Sequence, residues 1–250
     1  MNLTLLKSGE KHAATTRNVQ YCRTLMQLAA LALLVAGLYT QVVRAHTLWV
    51  LGLGLLAGNF FCGWLCPYGT AQELCGKIGS LFLKRKLKMP PALQRYLQFS
   101  RYALMLALLA LGAQAVAASA PINSYRSFMA LAGGKVVETV ALTIMGSFLV
   151  IALFFERPFC NYVCSEGIKF GVASLTRLFT IKRNAATCVN CQRCNQACPM
   201  NIQVSAGKSV RNAQCINCFS CITACPSNET LSYGPANFLC KKETPPPPQS

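Results

Sequence analysis

Long apolar runs alternate with polar and basic stretches along the first 155 residues of the chain. A helix needs about 20 mostly apolar residues to cross the hydrocarbon core of a bilayer. Four runs approach or reach that length, namely Leu25–Val43, Thr47–Phe61, Tyr102–Ala120 and Val136–Phe155. The second run is short, but it continues into the segment Cys62-Gly-Trp-Leu-Cys66. The pattern predicts a mainly α membrane protein whose four transmembrane helices form two related hairpins.

Charged residues are scarce, and the basic ones are distributed unevenly among the loops. Only 12% of the residues are charged and 53% are hydrophobic, whereas a soluble domain is about a quarter charged. The two loops inside the predicted hairpins contain only Arg44, Arg126 and Lys135, and the other stretches are rich in Lys and Arg. Because basic loops stay in the cytoplasm, both termini are expected there. The same sorting accounts for the net charge of +17 without a nucleic-acid partner.

Two cysteine runs near the C-terminal end share the spacing C-x2-C-x2-C-x3-C, and each is followed by proline. In two-cluster ferredoxins, three cysteines of each run bind one [4Fe–4S] cluster and the fourth binds the other cluster. The predicted ligands are Cys188, Cys191, Cys194 and Cys225 for one cluster, and Cys198, Cys215, Cys218 and Cys221 for the other. Zinc is the alternative, but zinc sites favour separated pairs of ligands. The spacing therefore indicates an electron carrier.

A second pair of cysteine motifs belongs to an internal repeat. A shift of the chain without a gap aligns Cys62-Gly-Trp-Leu-Cys66 with Cys160-Asn-Tyr-Val-Cys164. Residues four apart share one face of a helix, so the four sulfurs of Cys62, Cys66, Cys160 and Cys164 could enclose a redox metal or an additional cluster at the membrane surface. Thiol redox groups and small buried side chains are the alternatives. Three further cysteines have no partner at ligand spacing and are interpreted as bystanders: Cys22, Cys75 and Cys240.

The segment Phe61-Cys62-Gly-Trp-Leu-Cys66-Pro67 resembles the C-x3-C-P signature of the NapH/NosR-type membrane polyferredoxins and of related copper reductases used in oxidase assembly. Nearly the whole chain takes part in this resemblance, although Ser165 stands where the second motif would have proline. The resemblance implies a protein of the bacterial inner membrane that passes electrons from quinol to a reductase through partner subunits. It implies an electron-transfer subunit rather than a stand-alone enzyme.

A quinol site would need an ionisable group near lipid depth to accept protons. Glu138, at the outer end of the fourth apolar run, and His46, between the first two runs, are the candidates. An interfacial side chain that faces lipid headgroups is the alternative for each. The competing function is a metal-handling enzyme that reduces copper at the C-x3-C cysteines, since thiolates favour Cu(I).

Three segments follow from these patterns. Residues 1–183 are predicted to form the transmembrane domain, and residues 184–239 a cytoplasmic α+β ferredoxin-like domain with two clusters. The junction is expected at residues 184–187. Residues 240–250 form a proline-rich tail.

Overall fold

The computed structural model describes residues 3–37, 52, 54–82, 87–112, 114, 119, 123–227 and 230–235, and no side chain before residue 16. Within these residues the fold is mostly helical, and a small sheet lies near the C-terminal end. Among the described residues before Ser174, the α-helices with defined bounds are α1 (Leu3–Val35), α2 (Pro67–Phe82), α3 (Pro91–Leu97), α4 (Ser100–Ala110), α5 (Ser124–Ala132), α6 (Thr139–Ile151), α7 (Pro158–Tyr162) and α8 (Ser165–Ala173).

Two short helical segments are not α-helical. One contains most of the first C-x3-C motif, and the other follows α8. A π-helix spans Phe61–Leu65 and contains Cys62, and Cys66 lies between this π-helix and α2. A 3-10 turn, Ser174–Thr176, follows α8 and leads into the sheet. Such π segments are often found at functional sites.

The sheet has two antiparallel strands, β1 (Phe179–Arg183) and β2 (Leu231–Pro235). Their register pairs Ile181 with Tyr233 and Arg183 with Leu231. Between the strands lie two four-residue helices, α9 (Arg193–Gln196) and α10 (Ser220–Thr223), and a 3-10 turn at Val204–Ala206. The strand β1 ends one residue before the boundary predicted at residue 184.

Two hydrophobic cores form around cysteines. Ile181, Met200, Val210 and Leu231 pack around Cys198, Cys215, Cys218 and Cys221 in the C-terminal core. Phe61, Tyr68, Met145 and Phe159 pack around Cys66 and Cys164 in the helical core. Because both cores bury these six thiols among large apolar side chains, the fold excludes water from them.

The prediction of four transmembrane helices was wrong. Among the described residues, none of the helices combines the length and the apolar character needed to span a bilayer. The described helices α4 and α6, in the third and fourth apolar runs, have 11 and 13 residues, which extend about 16 and 20 Å at 1.5 Å per residue.

Turns end two of the helices within the apolar runs. The helix α1 is 33 residues long, but its first half carries Lys and Arg, and it ends in a turn at Gly37, whose φ is +74°. The helix α4 ends at Ala110, and Gly112, in the turn that follows, has a φ of +96°. Parts of the first three runs lie outside the described residues. The cytoplasmic orientation of both termini was inferred from the loops between these spans. Without the spans, the loops no longer support that orientation.

Candidate iron–sulfur centres

The first four-cysteine set, Cys188, Cys191, Cys194 and Cys225, lines one cavity at the end of β1 and the start of β2. We call it site A. Arg183 and Leu231 from the two strands line the same cavity. Cys191 is exposed and the other three thiols are partly exposed.

The second set, Cys198, Cys215, Cys218 and Cys221, lines a separate cavity together with Ile181 and Met200. We call it site B. All four of its cysteines are buried. Each set takes its fourth cysteine from the other run, because Cys225 follows the second triplet and Cys198 follows the first. This is the crossed arrangement expected from the spacing.

Matching backbone conformations shape the two ligand loops. Asn190 and Gln192 in the first run have φ near +53° and +55°, and Asn217 and Phe219 in the second have φ near +48° and +58°. Residues other than glycine rarely adopt this left-handed region, and asparagine does so most easily. The paired left-handed residues turn each loop tightly, so that its cysteines face one centre.

The four C-x3-C cysteines also line a common cavity, which we call site C. Cys62 and Cys66 come from the π-helix and the start of α2, and Cys160 and Cys164 come from α7 and the start of α8. The two halves of the repeat therefore contribute equally. Cys66 and Cys164 are buried, and Cys62 and Cys160 are partly buried.

The repeat also gives site C matched hydrogen bonds. The backbone N–H of Gly69 donates to Cys66 Sγ over 3.4 Å, and that of Gly167 donates to Cys164 Sγ over the same distance. Each second cysteine thus caps the N-terminus of the helix that follows it, where the helix dipole favours a thiolate. Gln72 Nε2 adds a third donor, 3.3 Å from Cys160 Sγ.

Two buried arginines lie beside site C. Arg101 lines the cavity and is 2% exposed. Arg157, 1% exposed, donates from Nη1 to the carbonyl oxygen of Cys62 over 2.8 Å. The Nη2 atom of Arg157 pairs with Glu73 over 2.7 Å, and Arg23 pairs with the same carboxylate. Among the described carboxylates, none forms a salt bridge with Arg101.

Burial controls the acidity of these thiols. It raises the pKa of Cys62 to about 11, although Asn59, Arg157 and Arg101 act in the opposite direction. Burial also raises the pKa of Cys66, and the neighbouring thiols Cys160 and Cys62 add to the rise. Thiols of this kind are protonated at neutral pH, so binding as thiolates must release protons.

The arrangement of the thiols fits a cluster better than a single ion. The four cysteines of each site surround a cavity. Within the described ranges, His, Cys, Asp and Glu side chains form no group that could hold one metal ion. A [4Fe–4S] cluster has one cysteine at each of its four corners, and enclosed apolar cavities with N–H donors to sulfur suit that ligand set. When bound, such a cluster supplies one-electron redox chemistry.

Direct contacts join site C to site B. The Trp64 indole donates to the carbonyl oxygen of Asn217 over 2.9 Å. On the other half of the repeat, Asn161 Nδ2 donates to the carbonyl oxygen of Pro199, and Gln214 Nε2 donates to that of Asn161. Sites A and B share their ligand runs, so the three sites form a series A–B–C.

None of the remaining sequence candidates that the structure describes lines the cavities of these sites. Glu138 is exposed and immediately precedes α6. His46 and Cys240 lie outside the described residues. Cys22 is exposed, and Cys75 is partly buried away from the three cavities.

Sequence reasoning missed the polar side chains around site C. Gln72 and Arg101 do not belong to either cysteine motif, so the sequence pattern does not mark them. Arg157 and Asn59 stand at equivalent positions of the repeat, each three residues before the first cysteine of its motif, and this offset was the available signal. Asn59 Oδ1 accepts a hydrogen bond from the backbone N–H of Cys62 over 3.2 Å.

Comparison with protein families also indicates iron–sulfur binding. The model described as "4Fe-4S binding domain" matches residues 42–90 and again residues 137–180, and each match contains one C-x3-C motif. The model described as "4Fe-4S dicluster domain" matches residues 180–227. No solved structure matches the chain.

Three curated relatives resemble the chain over 60–65% of its length. YccM of Escherichia coli (strain K12), named for a proposed role in electron transport, is 32% identical over 65% of this chain and 47% of its own. The regulatory protein NosR of Pseudomonas aeruginosa is 28% identical over 64% of this chain and 22% of its own. The ferredoxin-type protein NapH of Haemophilus influenzae is 27% identical over 60% of this chain and 50% of its own.

The chain belongs to the NapH/NosR-type polyferredoxins. This confirms the family expected from the C-x3-C-P segment. A polyferredoxin of this type binds iron–sulfur clusters and transfers electrons. The match spans about half of YccM and of NapH and a smaller part of NosR.

Proposed function

We propose that this polyferredoxin holds three [4Fe–4S] clusters, at sites A, B and C, and relays electrons between quinol and a partner reductase. The observation that carries the proposal is the third four-cysteine cavity, site C, in contact with the ligand loop of site B. A carrier with two clusters needs only sites A and B. The C-x3-C cysteines extend the series by one step, deeper among the helices.

The polar lining of site C supports an electron-accepting role. Positive charge near a cluster stabilises its reduced form, and hydrogen bonds to sulfur act in the same direction. Site C has Arg101 on its lining and Arg157 bonded to Cys62. We therefore assign site C as the entry point for electrons from quinol.

Quinol oxidation releases two electrons and two protons for each molecule that becomes quinone. The clusters accept the electrons one at a time, and an acid–base group must accept the protons. Glu138 and His46 remain the proposed proton acceptors. Glu166, which lines site C, is a third candidate to test.

Contact with lipid would give the chain access to quinol. Large apolar side chains are exposed on α4 and α6, among them Leu106 at 67%, Leu109 at 59%, Val140 at 61% and Val150 at 58%. Exposed apolar patches of this kind mark partner or membrane contacts. We propose that these helices meet the lipid phase, where quinols dissolve.

Copper reduction at the C-x3-C cysteines is the second candidate function. Thiolates are suitable Cu(I) ligands, but the burial of the site C cysteines disfavours copper reduction there. Cys66 is 9% exposed and Cys164 is 8% exposed, which limits the access of an external ion.

An anaerobic absorbance measurement tests both functions. The purified protein is mixed with a reduced short-chain quinol, and dithionite gives full reduction. We expect quinol to bleach the iron–sulfur absorbance, and we expect about 12 iron atoms per chain, four for each of three sites.

The variant Cys66→Ser and the matched control Cys22→Ser identify the site that is responsible. Cys66→Ser should retain about 8 iron atoms, bleach with dithionite and no longer bleach with quinol. Cys22→Ser, at an exposed thiol, should behave like the wild type. Bleaching of wild type by dithionite alone, together with Cu(II) reduction that Cys66→Ser abolishes, would favour the copper reductase instead.

A further inference from the structure

Site A differs from the other two sites in its exposure. Cys191 is exposed, whereas the four cysteines of site B are buried and site C has two buried thiols. Val189, between Cys188 and Cys191, is 69% exposed. Electrons that leave the series toward a protein partner therefore leave most directly at site A.

Basic residues dominate the segment that forms this region. From Gly167 to Asn228 the sequence contains no Asp or Glu, and it contains seven basic residues, namely Lys169, Arg177, Lys182, Arg183, Arg193, Lys208 and Arg211. Glu229, the next acidic residue, lies outside the described residues.

Three of these basic residues lie in segments next to site A. Arg193 is exposed and begins α9, directly before Cys194. Arg183 lines the site A cavity. Lys208 is exposed, and its carbonyl oxygen accepts a hydrogen bond from the backbone N–H of Arg183 over 2.7 Å. The exposed Val189 thus lies in a region whose charged residues are basic.

We propose that this surface, formed by Val189, Cys191, Arg183, Arg193 and Lys208, docks an acidic electron-transfer protein. The inference rests on the proposed function, because it needs site A to carry electrons. Docking patches with an apolar centre and a charged rim are common at interfaces. Complementary charge mainly raises the association rate, and salt lowers it.

Two soluble haem proteins of opposite charge serve as probes. Cytochrome b5 is acidic and cytochrome c is basic, and each accepts one electron when its ferric haem becomes ferrous. Dithionite-reduced protein, freed of excess reductant, is mixed with each ferric cytochrome over a range of ionic strength. The dissociation constant for oxidised protein and cytochrome b5 is measured by titration calorimetry, which requires no electron transfer.

The test variant is Arg193→Glu/Lys208→Glu, and the matched control is Arg126→Glu/Lys135→Glu, which reverses two exposed charges outside residues 177–235. With the wild type we expect the rate for cytochrome b5 to fall as salt rises. In the test variant the low-salt rate should fall about tenfold or more and binding should weaken, while the rate for cytochrome c should rise. The control variant should match the wild type.

Each other outcome has a definite meaning. A wild-type rate with cytochrome b5 that does not fall with salt overturns the docking surface, whatever the variants do. Equal rates for the wild type and an iron-replete test variant also overturn it. Failure of the reduced wild type to reduce either cytochrome would instead overturn the electron relay, and the docking surface with it.

Discussion

The indole nitrogen of Trp64 donates a 2.9 Å hydrogen bond to the carbonyl oxygen of Asn217. Trp64 lies between Cys62 and Cys66 of site C, and Asn217 lies between Cys215 and Cys218 of site B. The two ligand loops therefore touch through adjacent backbone and side-chain atoms. Next to this bond, Gly63 lies so close to Ile216 that a Cβ atom would stand 2.1 Å from the Ile216 carbonyl oxygen.

The substitution Gly63→Ala should separate sites B and C. The new methyl group has no space, so the loop must move, and we expect a loss of roughly 2–3 kcal/mol of stability, as for overpacked cores. The iron content should fall from about 12 toward 8 atoms per chain as site C loses its shape. Iron analysis and thermal unfolding measure both effects.

Gly146→Ala is the control for this substitution. Gly146 lies inside α6, and a Cβ atom there would meet nothing within 4 Å. Alanine favours helix by about 1 kcal/mol over glycine, so this variant should keep all its iron and be slightly more stable. Equal iron content in the two variants would contradict the close contact at Ile216.

The pairing of the four C-x3-C cysteines could be anticipated because a gapless repeat carries its own geometry. Two equivalent segments present equivalent cysteines, and Gly69 and Gly167 donate to equivalent sulfurs. The four transmembrane helices could not be predicted in the same way. Hydropathy counts apolar residues, but it does not locate the turns at Gly37 and Gly112 that end the helices.

Arg101 should raise the reduction potential of site C. Its buried side chain lines the site C cavity. Replacing it with Gln removes a positive charge in a medium of low dielectric constant, so the potential of site C should fall while sites A and B change little. A redox titration followed by electron paramagnetic resonance would measure the shift.

Arg95→Gln is the control for Arg101→Gln. Arg95 is an exposed residue of α3, and solvent screens its charge, so the three potentials should not move. A site C potential that is the same in Arg101→Gln and the wild type would remove Arg101 as a determinant of electron entry.

Glu73 should be essential for stability, because it neutralises two buried arginines. Arg23 and Arg157 both pair with its Oε2 atom. Replacing Glu73 with Gln leaves these charges without a carboxylate, and breaking a buried ion pair costs about 3–5 kcal/mol. Since the Glu73 side chain is 20% exposed, we expect roughly 3 kcal/mol, the lower end of that range, measured by denaturant unfolding of cluster-free protein.

The contribution of Glu73 should be independent of pH near neutrality. Burial of the carboxyl group raises its pKa, but Arg157 and Arg23 outweigh burial and lower the pKa of Glu73 to about 2. A group whose pKa falls on folding contributes fully above its unfolded pKa and loses that contribution as the pH falls toward the folded pKa. The stability difference between the wild type and Glu73→Gln should therefore be constant from about pH 8 to pH 5.5. A slope across that range would mean that burial dominates instead.

Gln72 should affect both the stability of site C and its reduction potential. Two substitutions separate these two effects. Its Nε2 donates to Cys160 Sγ, and its Oε1 accepts a hydrogen bond from the backbone N–H of Phe159 over 3.2 Å. Gln72→Leu removes both bonds, so the buried Phe159 N–H loses its partner at a cost of about 1–3 kcal/mol, and the site C potential should fall. Gln72→Glu keeps an acceptor for Phe159 but replaces the donor to sulfur with negative charge.

The potential of Gln72→Glu should therefore fall further than that of Gln72→Leu, although Glu preserves more of the local hydrogen bonding. This order runs opposite to the order expected for stability at a purely structural residue. Redox titration and unfolding of the same two variants compare the orders directly. If the potentials follow stability, with Gln72→Glu closer to the wild type, Gln72 only packs site C and does not tune it.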